Sequence, residues 1–191
     1  MARVKLSDEL KKAISGISSA QKDKLLFRLI AGNPALAEKL VFELLEGGET
    51  AEERRALAAK EIEKRMLEYQ ARYYSPGILL RLMRDLSGMI NRHVATTRDR
   101  YGEVELNLLM LNLAFEYFGD KIRKTKPQKA QRFNEYVVKR TLKLLGLIDK
   151  MHEDLRLDFK KSLQTLAQHI ANQSMTKSVA ETYGLQLNWL L

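Results

Sequence analysis

The side chains best suited to bind a ligand are basic ones that cluster in one segment of the chain. Between residues 121 and 143 nine of them accompany a single acid, so this segment carries most of the formal net charge of +9. Clustered Lys and Arg with few acids are typical of a surface that binds nucleic-acid phosphates. The nine are Lys121, Arg123, Lys124, Lys126, Lys129, Arg132, Lys139, Arg140 and Lys143.

A solvated structural face explains part of the same charge without any ligand. Lys121, Arg123 and Lys124 fall in the last turn of a predicted helix, where cations complement the helix dipole and the free carbonyls. The next helix points Phe133 and Val137 inward and its cations outward. Because no aromatic side chain is clearly free to stack on a base, any nucleic-acid contact is expected with backbone phosphates and not with base sequence.

A second basic feature is an arginine row on a predicted helix at 76–98. Arg81, Arg84 and Arg92 occupy the face opposite the apolar side chains of that helix. The planar guanidinium fork suits bidentate contacts with phosphate or carboxylate, although nearby aspartates favour structural ion pairs instead. The row adds to a binding surface only if it shares one concave face with the 121–143 segment.

Catalytic, metal and cofactor chemistry has no recognisable signature in the sequence. The chain has no cysteine, which excludes disulfides, thiolate metal sites and cysteine nucleophiles. It also has no nucleophile elbow, glycine-rich phosphate loop or His-Glu-x-x-His motif. The nearest metal-like pattern, Asp149 followed by His152, is common by chance. We therefore predict no catalytic residue, no metal ligand and no cofactor.

The elements that carry these residues are predicted to be helices throughout. Prolines and glycines lie where helices begin or end, as in Asn33-Pro34 and Ser75-Pro76, and no convincing strand pattern is present. Ser18, Thr50 and Thr125 each begin a capping-box pattern. Helices are expected at about 7–15, 19–31, 34–46, 50–74, 76–98, 103–124, 126–149, 153–173 and 175–183. The helices at 126–149 and 153–173 could instead be one continuous helix that kinks at Gly146.

The predicted fold class is all-α, with about eight helices in an irregular bundle or a short HEAT- or armadillo-like stack. We expect an N-terminal hairpin region at 1–48, a long charged connecting helix at 49–75 and a helical body at 76–191, together forming one compact unit. Helix 103–124 is apolar nearly all round, which is typical of the centre of a bundle. The hairpin at 19–46 has the length of one helical repeat, but no second copy is present.

Two functions fit these features. The first is a helical interaction or adaptor protein without a catalytic site, with a protein partner or self-association. The alternative is a nucleic-acid-associated protein that binds phosphate backbones through the basic 121–143 surface. The N-terminus lacks the apolar core of a signal peptide, and no charge-free apolar run is long enough to span a bilayer. A cytoplasmic location without a membrane partner is therefore expected.

Overall fold

The computed structural model describes residues 4–190, and within that range the chain forms α-helices and no strand, which confirms the all-α prediction. A π-helical segment, Val41–Leu45, continues the third helix, and a 3-10 turn, Leu187–Leu190, follows the last. The helices are α1 (Asp8–Gly16), α2 (Ser19–Ala31), α3 (Pro34–Leu40), α4 (Ala51–Gln70), α5 (Pro76–Thr97), α6 (Arg100–Arg123), α7 (Pro127–Ile148), α8 (Glu153–Asp158), α9 (Lys160–Ala171) and α10 (Ser174–Thr182).

Local capping side chains set several helix starts, as the sequence predicts. Ser18 and Gln21 form a reciprocal capping box at the start of α2. The Asn33 side chain accepts a hydrogen bond from the Leu36 N–H, and Ser75 caps α5 in the same manner. Each cap satisfies a backbone donor that the first turn of the helix leaves without a partner.

Two predicted helix starts differ from the structure, and the Thr50 side chain makes no capping hydrogen bond at the start of α4. α6 begins at Arg100 and not at residue 103, because the Asp99 carboxylate caps it by accepting the Gly102 N–H at 2.7 Å. Thr125 does not cap α7, since its hydroxyl donates instead to the Lys121 carbonyl at the end of α6. Each of these two side chains, Asp99 and Thr125, forms its hydrogen bond with a nearby residue of its own turn.

The helices predicted at 126–149 and 153–173 are separate, so the alternative of one helix kinked at Gly146 is wrong. α7 ends at Ile148, beyond Gly146, and the chain turns before α8. The Arg156 side chain stabilises this turn, since it donates to the Asp149 carbonyl at 2.6 Å and to the Met151 carbonyl at 2.9 Å. These bonds satisfy carbonyls that a continuous helix would have used itself.

The chain divides into two compact units, Met1–Gly47 and Gly48–Leu191. Gly47 and Gly48 have positive φ values of 64° and 76°, a conformation that glycine adopts without steric cost. The first unit contains α1 to α3 and the π-helical segment, and the second contains α4 to α10.

The second unit is a helical bundle around α6, which contacts α4, α5, α7 and α9. Leu106, Met110 and Phe118 of α6 are fully buried in its core. α4 is not a separate connecting helix, because Ile62 and Met66 bury its apolar stripe against the same core. Its charged face is solvated while its other face belongs to the bundle.

The C-terminal segment packs on its own unit. Leu185 and Leu190 are buried members of the core, and the 3-10 turn contacts α9. Trp189 stays half exposed. Burial of these side chains removes apolar surface from water and ties the end of the chain to the bundle.

Candidate nucleic-acid interface

α5 and α7 pack side by side and leave a concave groove of about 460 Å³ on the surface of the second unit. One cation comes from α5, and four cations, one acid and one tyrosine come from α7. One arginine of the row, Arg84, therefore meets the second half of the basic segment in one concavity. The lining side chains are Arg84, Arg132, Glu135, Tyr136, Lys139, Arg140 and Lys143.

Arg140 is held in place by neutral groups and not by a carboxylate. Its Nη2 atom donates to Ser87 Oγ at 2.8 Å and to Tyr136 Oη at 3.3 Å. The Ser87 and Tyr136 hydroxyls also bond to each other, and the guanidinium carbon lies 5.4 Å from the centroid of the Tyr136 ring. Arg140 is thus oriented, and no carboxylate of the described residues pairs with its charge.

Three further cations face solvent from the groove. Arg84, Arg132 and Lys139 are exposed, and none of them forms a salt bridge with another part of the chain that the structure describes. The Lys139 ammonium lies 4.8 Å from the centroid of the Tyr183 ring. Glu135 is the one acid of the lining, and it accepts a hydrogen bond from the Gln131 amide at 2.7 Å. The groove is therefore strongly basic.

Lys143 serves a different purpose, since its ammonium pairs with the buried Glu103 carboxylate at 2.8 Å. Arg100 donates to the same carboxylate at 2.9 Å. Burial alone would raise the pKa of Glu103, but the hydrogen bonds from Lys143 and Arg100 outweigh it and lower that pKa. Lys143 consequently ties α7 to α6 and adds less net charge to the groove.

The remaining predicted residues lie outside the groove, and two of them have structural partners. The Lys121 ammonium donates to the Gln70 carbonyl at 3.2 Å and lies 5.3 Å from the Tyr73 ring centroid. Arg123 pairs with Asp120 one turn earlier on α6. The other five are exposed and do not line the groove: Lys124, Lys126, Lys129, Arg81 and Arg92.

Sequence reasoning missed Ser87 and Tyr136, which position Arg140. Tyr136 precedes Arg140 by four residues, a spacing that places both on one helix face and could have identified the pair. Ser87 carries no comparable signal, because its role depends on how α5 is aligned with α7.

A second polar cluster lies at the turn between α5 and α6. His93 Nε2 is 3.1 Å from Asp99 Oδ2, and the Arg55 guanidinium is 3.7 Å from the same oxygen. Arg55 also pairs with Glu105 at 3.2 Å. Within residues 4–190 no three His, Cys, Asp or Glu side chains converge in a way that could hold a metal ion. These hydrogen bonds and ion pairs connect α4, α5 and α6.

Among the described helices none is long and apolar enough to cross a bilayer. Neither a protein-family model, nor a curated protein, nor a solved structure matches the chain.

Proposed function

We propose that the chain binds the phosphate backbone of a nucleic acid in the groove between α5 and α7, as a binding protein and not as an enzyme. One observation carries the proposal: Arg84 of one helix and Arg132, Lys139 and Arg140 of another line the same concavity beside a single acid. A concave basic surface with few acidic side chains concentrates the electric field and attracts polyanions.

The length of the groove suits several consecutive phosphates. Arg132 and Lys143 mark the ends of its α7 wall. At a rise of about 1.5 Å per residue they are separated by about 16 Å along the helix, which is long enough to contact more than one phosphate of a strand. A single small anion would engage only part of this wall.

Recognition is expected to be independent of base sequence. The one aromatic side chain in the groove, Tyr136, has its ring covered by the Arg140 guanidinium and its hydroxyl bonded to Ser87. Both its ring and its hydroxyl therefore already have partners within the chain. Phosphate contacts fix position on a strand but carry no sequence information.

A charge reversal in the groove tests the proposal. We expect Arg84→Glu combined with Arg132→Glu to weaken binding to a fluorescent 20-nucleotide duplex or single strand of random sequence by at least about tenfold at about 50 mM salt, because two phosphate contacts become repulsive. Fluorescence anisotropy measures the change. Both side chains are exposed, so the fold should be unaffected.

The matched control makes the same change in charge elsewhere. Lys60 and Lys64 are exposed on α4 and do not line the groove, and Lys60→Glu with Lys64→Glu should change affinity by less than about threefold. An absence of binding at low salt would refute the proposal. So would a control variant that loses as much affinity as the groove variant.

An interaction or adaptor function is a second candidate, favoured by a separate observation. The unit Met1–Gly47 exposes many of its large apolar side chains, among them Leu44 and Leu45. Exposed apolar patches mark interaction surfaces. An apolar contact does not require the basic groove, so the two functions are not mutually exclusive. The cytoplasmic location stays a prediction.

A further inference from the structure

Tyr183, which directly follows α10, lies beside the basic groove between α5 and α7. The ammonium of Lys139, a residue that lines the groove, lies over one face of the tyrosine ring at 4.8 Å from its centroid. Tyr183 is 39% exposed, and within residues 4–190 its ring pairs with no other aromatic ring. A partly exposed aromatic ring therefore borders the cations that the proposed function uses.

The packing of α10 against α7 fixes the position of this ring. The Thr176 hydroxyl donates to the Asn134 amide oxygen at 3.0 Å, and both side chains are buried where the two helices meet. Just after Tyr183 the chain turns, and the Leu185 N–H donates to the Ala180 carbonyl at 2.9 Å. The Leu185 side chain is buried in the core. Because the backbone is held on both sides of Tyr183, its ring loses little freedom when a ligand contacts it.

A strand that contacts Lys139 places a base close to the ring of Tyr183. One sugar separates the phosphate of a nucleotide from its base, so a phosphate at the Lys139 ammonium brings a base within reach of the ring. The contact between ammonium and ring is weak at an exposed site, and a phosphate can draw the ammonium away and leave that face to the base.

Stacking on a ring requires an unpaired base. In a duplex the bases are paired and stacked on one another, so their faces are not available to a side chain at the surface. In a single strand they are available, and a tyrosine can stack on any of them because every base has a π-face. The ring beside the groove thus favours a single strand.

We infer that the groove binds single-stranded nucleic acid, with one unpaired base stacked on Tyr183 next to a phosphate held by Lys139. The inference rests on the proposed function, because the ring adds to the phosphate contacts and does not replace them. Stacking on one tyrosine separates unpaired from paired bases but does not distinguish one base from another. Tyr183 therefore selects the class of nucleic acid and not its sequence.

Strands with and without bases test the inference. A fluorescent oligothymidylate of about 20 nucleotides and an abasic strand of the same length carry the same phosphates, so the difference between their affinities reports contact with bases. In fluorescence anisotropy at about 50 mM salt, we expect the full wild-type chain to bind oligothymidylate at least about fivefold more tightly than the abasic strand. Tyr183→Ala should abolish this preference and change the affinity for the abasic strand by less than about twofold.

Two matched variants and a duplex serve as controls. Tyr183→Phe keeps the ring and should retain the wild-type preference for oligothymidylate. Tyr74, between α4 and α5, is 86% exposed and does not line the groove, so Tyr74→Ala should retain the preference as well. The affinity of Tyr183→Ala for a duplex of the same length should stay within about twofold of the wild-type value, because the bases of a duplex are not available to the ring.

The inference and the proposed function fail in different ways. Equal affinity of the wild-type chain for the two single strands would overturn the inference while phosphate binding stands. An unchanged preference in Tyr183→Ala, or an equal loss of preference in Tyr74→Ala, would also overturn it. If neither strand binds at low salt, the proposed function fails and the inference fails with it.

Discussion

Asp99 holds the turn between α5 and α6 through contacts with three residues. Its carboxylate accepts the Gly102 N–H at 2.7 Å, bonds to His93 Nε2 at 3.1 Å and lies 3.7 Å from the Arg55 guanidinium. Burial alone would raise the pKa of Asp99, but these hydrogen bonds and the Arg55 charge lower it below its ordinary value. The turn therefore depends on an ionised carboxylate.

Acid should remove the stabilisation that the ionised Asp99 carboxylate gives to the fold. Because the pKa of Asp99 is lowered in the folded chain, its ionised form stabilises the fold above the unfolded pKa of about 4, and the gain is lost as the pH falls through the folded value. We expect Asp99→Asn to lower the free energy of unfolding in urea by about 1 to 3 kcal/mol at pH 7. The difference in the free energy of unfolding between the wild type and the Asp99→Asn variant should become smaller below about pH 4.

A deficit of the same size at pH 7 and at pH 3 would contradict the ionic role of Asp99. Glu103 supplies a parallel case, since hydrogen bonds from Lys143 and Arg100 lower its pKa against the effect of burial. Glu103→Gln should therefore show the same direction of pH dependence.

At the scale of the helices, what the sequence predicts depends on how local the signal is. The starts of α2, α3 and α5 follow from caps within three residues, and the structure confirms them. The break after Ile148 agrees with the helix end predicted near 149, but the apolar pattern also allowed a continuous helix, because the Arg156 side chain that stabilises the break belongs to the next helix.

The candidate site shows the same limit. The α7 cations are visible in the sequence, since Arg132, Lys139 and Arg140 recur on one amphipathic helix. That Arg84 joins them depends on the alignment of α5 with α7, which no local pattern encodes. The structural use of Lys121 and Lys143 likewise depends on partners 40 or more residues away.

Gly146 offers a test of the helical continuity of α7. It is exposed within the helix, and a methyl group added there meets nothing within 4 Å. Since glycine is a poor helix former, Gly146→Ala should raise the free energy of unfolding by about 0.5 to 1 kcal/mol. Denaturation in urea measures the effect.

Gly102 is the contrasting position on α6. A Cβ atom there would lie 2.7 Å from the Asp99 Cγ atom and 2.8 Å from the Arg55 Cδ atom. Gly102→Ala should therefore lower the free energy of unfolding by about 1 to 3 kcal/mol. For Gly146→Ala, by contrast, a free energy of unfolding below that of the wild type would contradict the prediction and show that α7 bends or ends at Gly146.

Across the second unit, charge is separated between two grooves. Four cations that pair with no carboxylate of the described residues line the groove between α5 and α7, whereas four acids and one cation, Arg55, line a groove of about 530 Å³ that includes α4 and α6 residues. An anionic strand is attracted to the first and repelled by the second, which orients its approach. The acids of the second groove are Glu52, Glu63, Glu105 and Glu116.

The most direct test of the phosphate-binding proposal is the salt dependence of nucleic-acid binding. The wild-type protein should show a slope of log K against log salt of about −3 to −4 on duplex DNA, since Arg84, Arg132, Lys139 and Arg140 each neutralise one phosphate. Arg84→Glu with Arg132→Glu should reduce the magnitude of this slope by about two, and Lys60→Glu with Lys64→Glu should leave it unchanged. Binding that does not depend on salt, or a groove variant with the wild-type slope, would contradict the proposal.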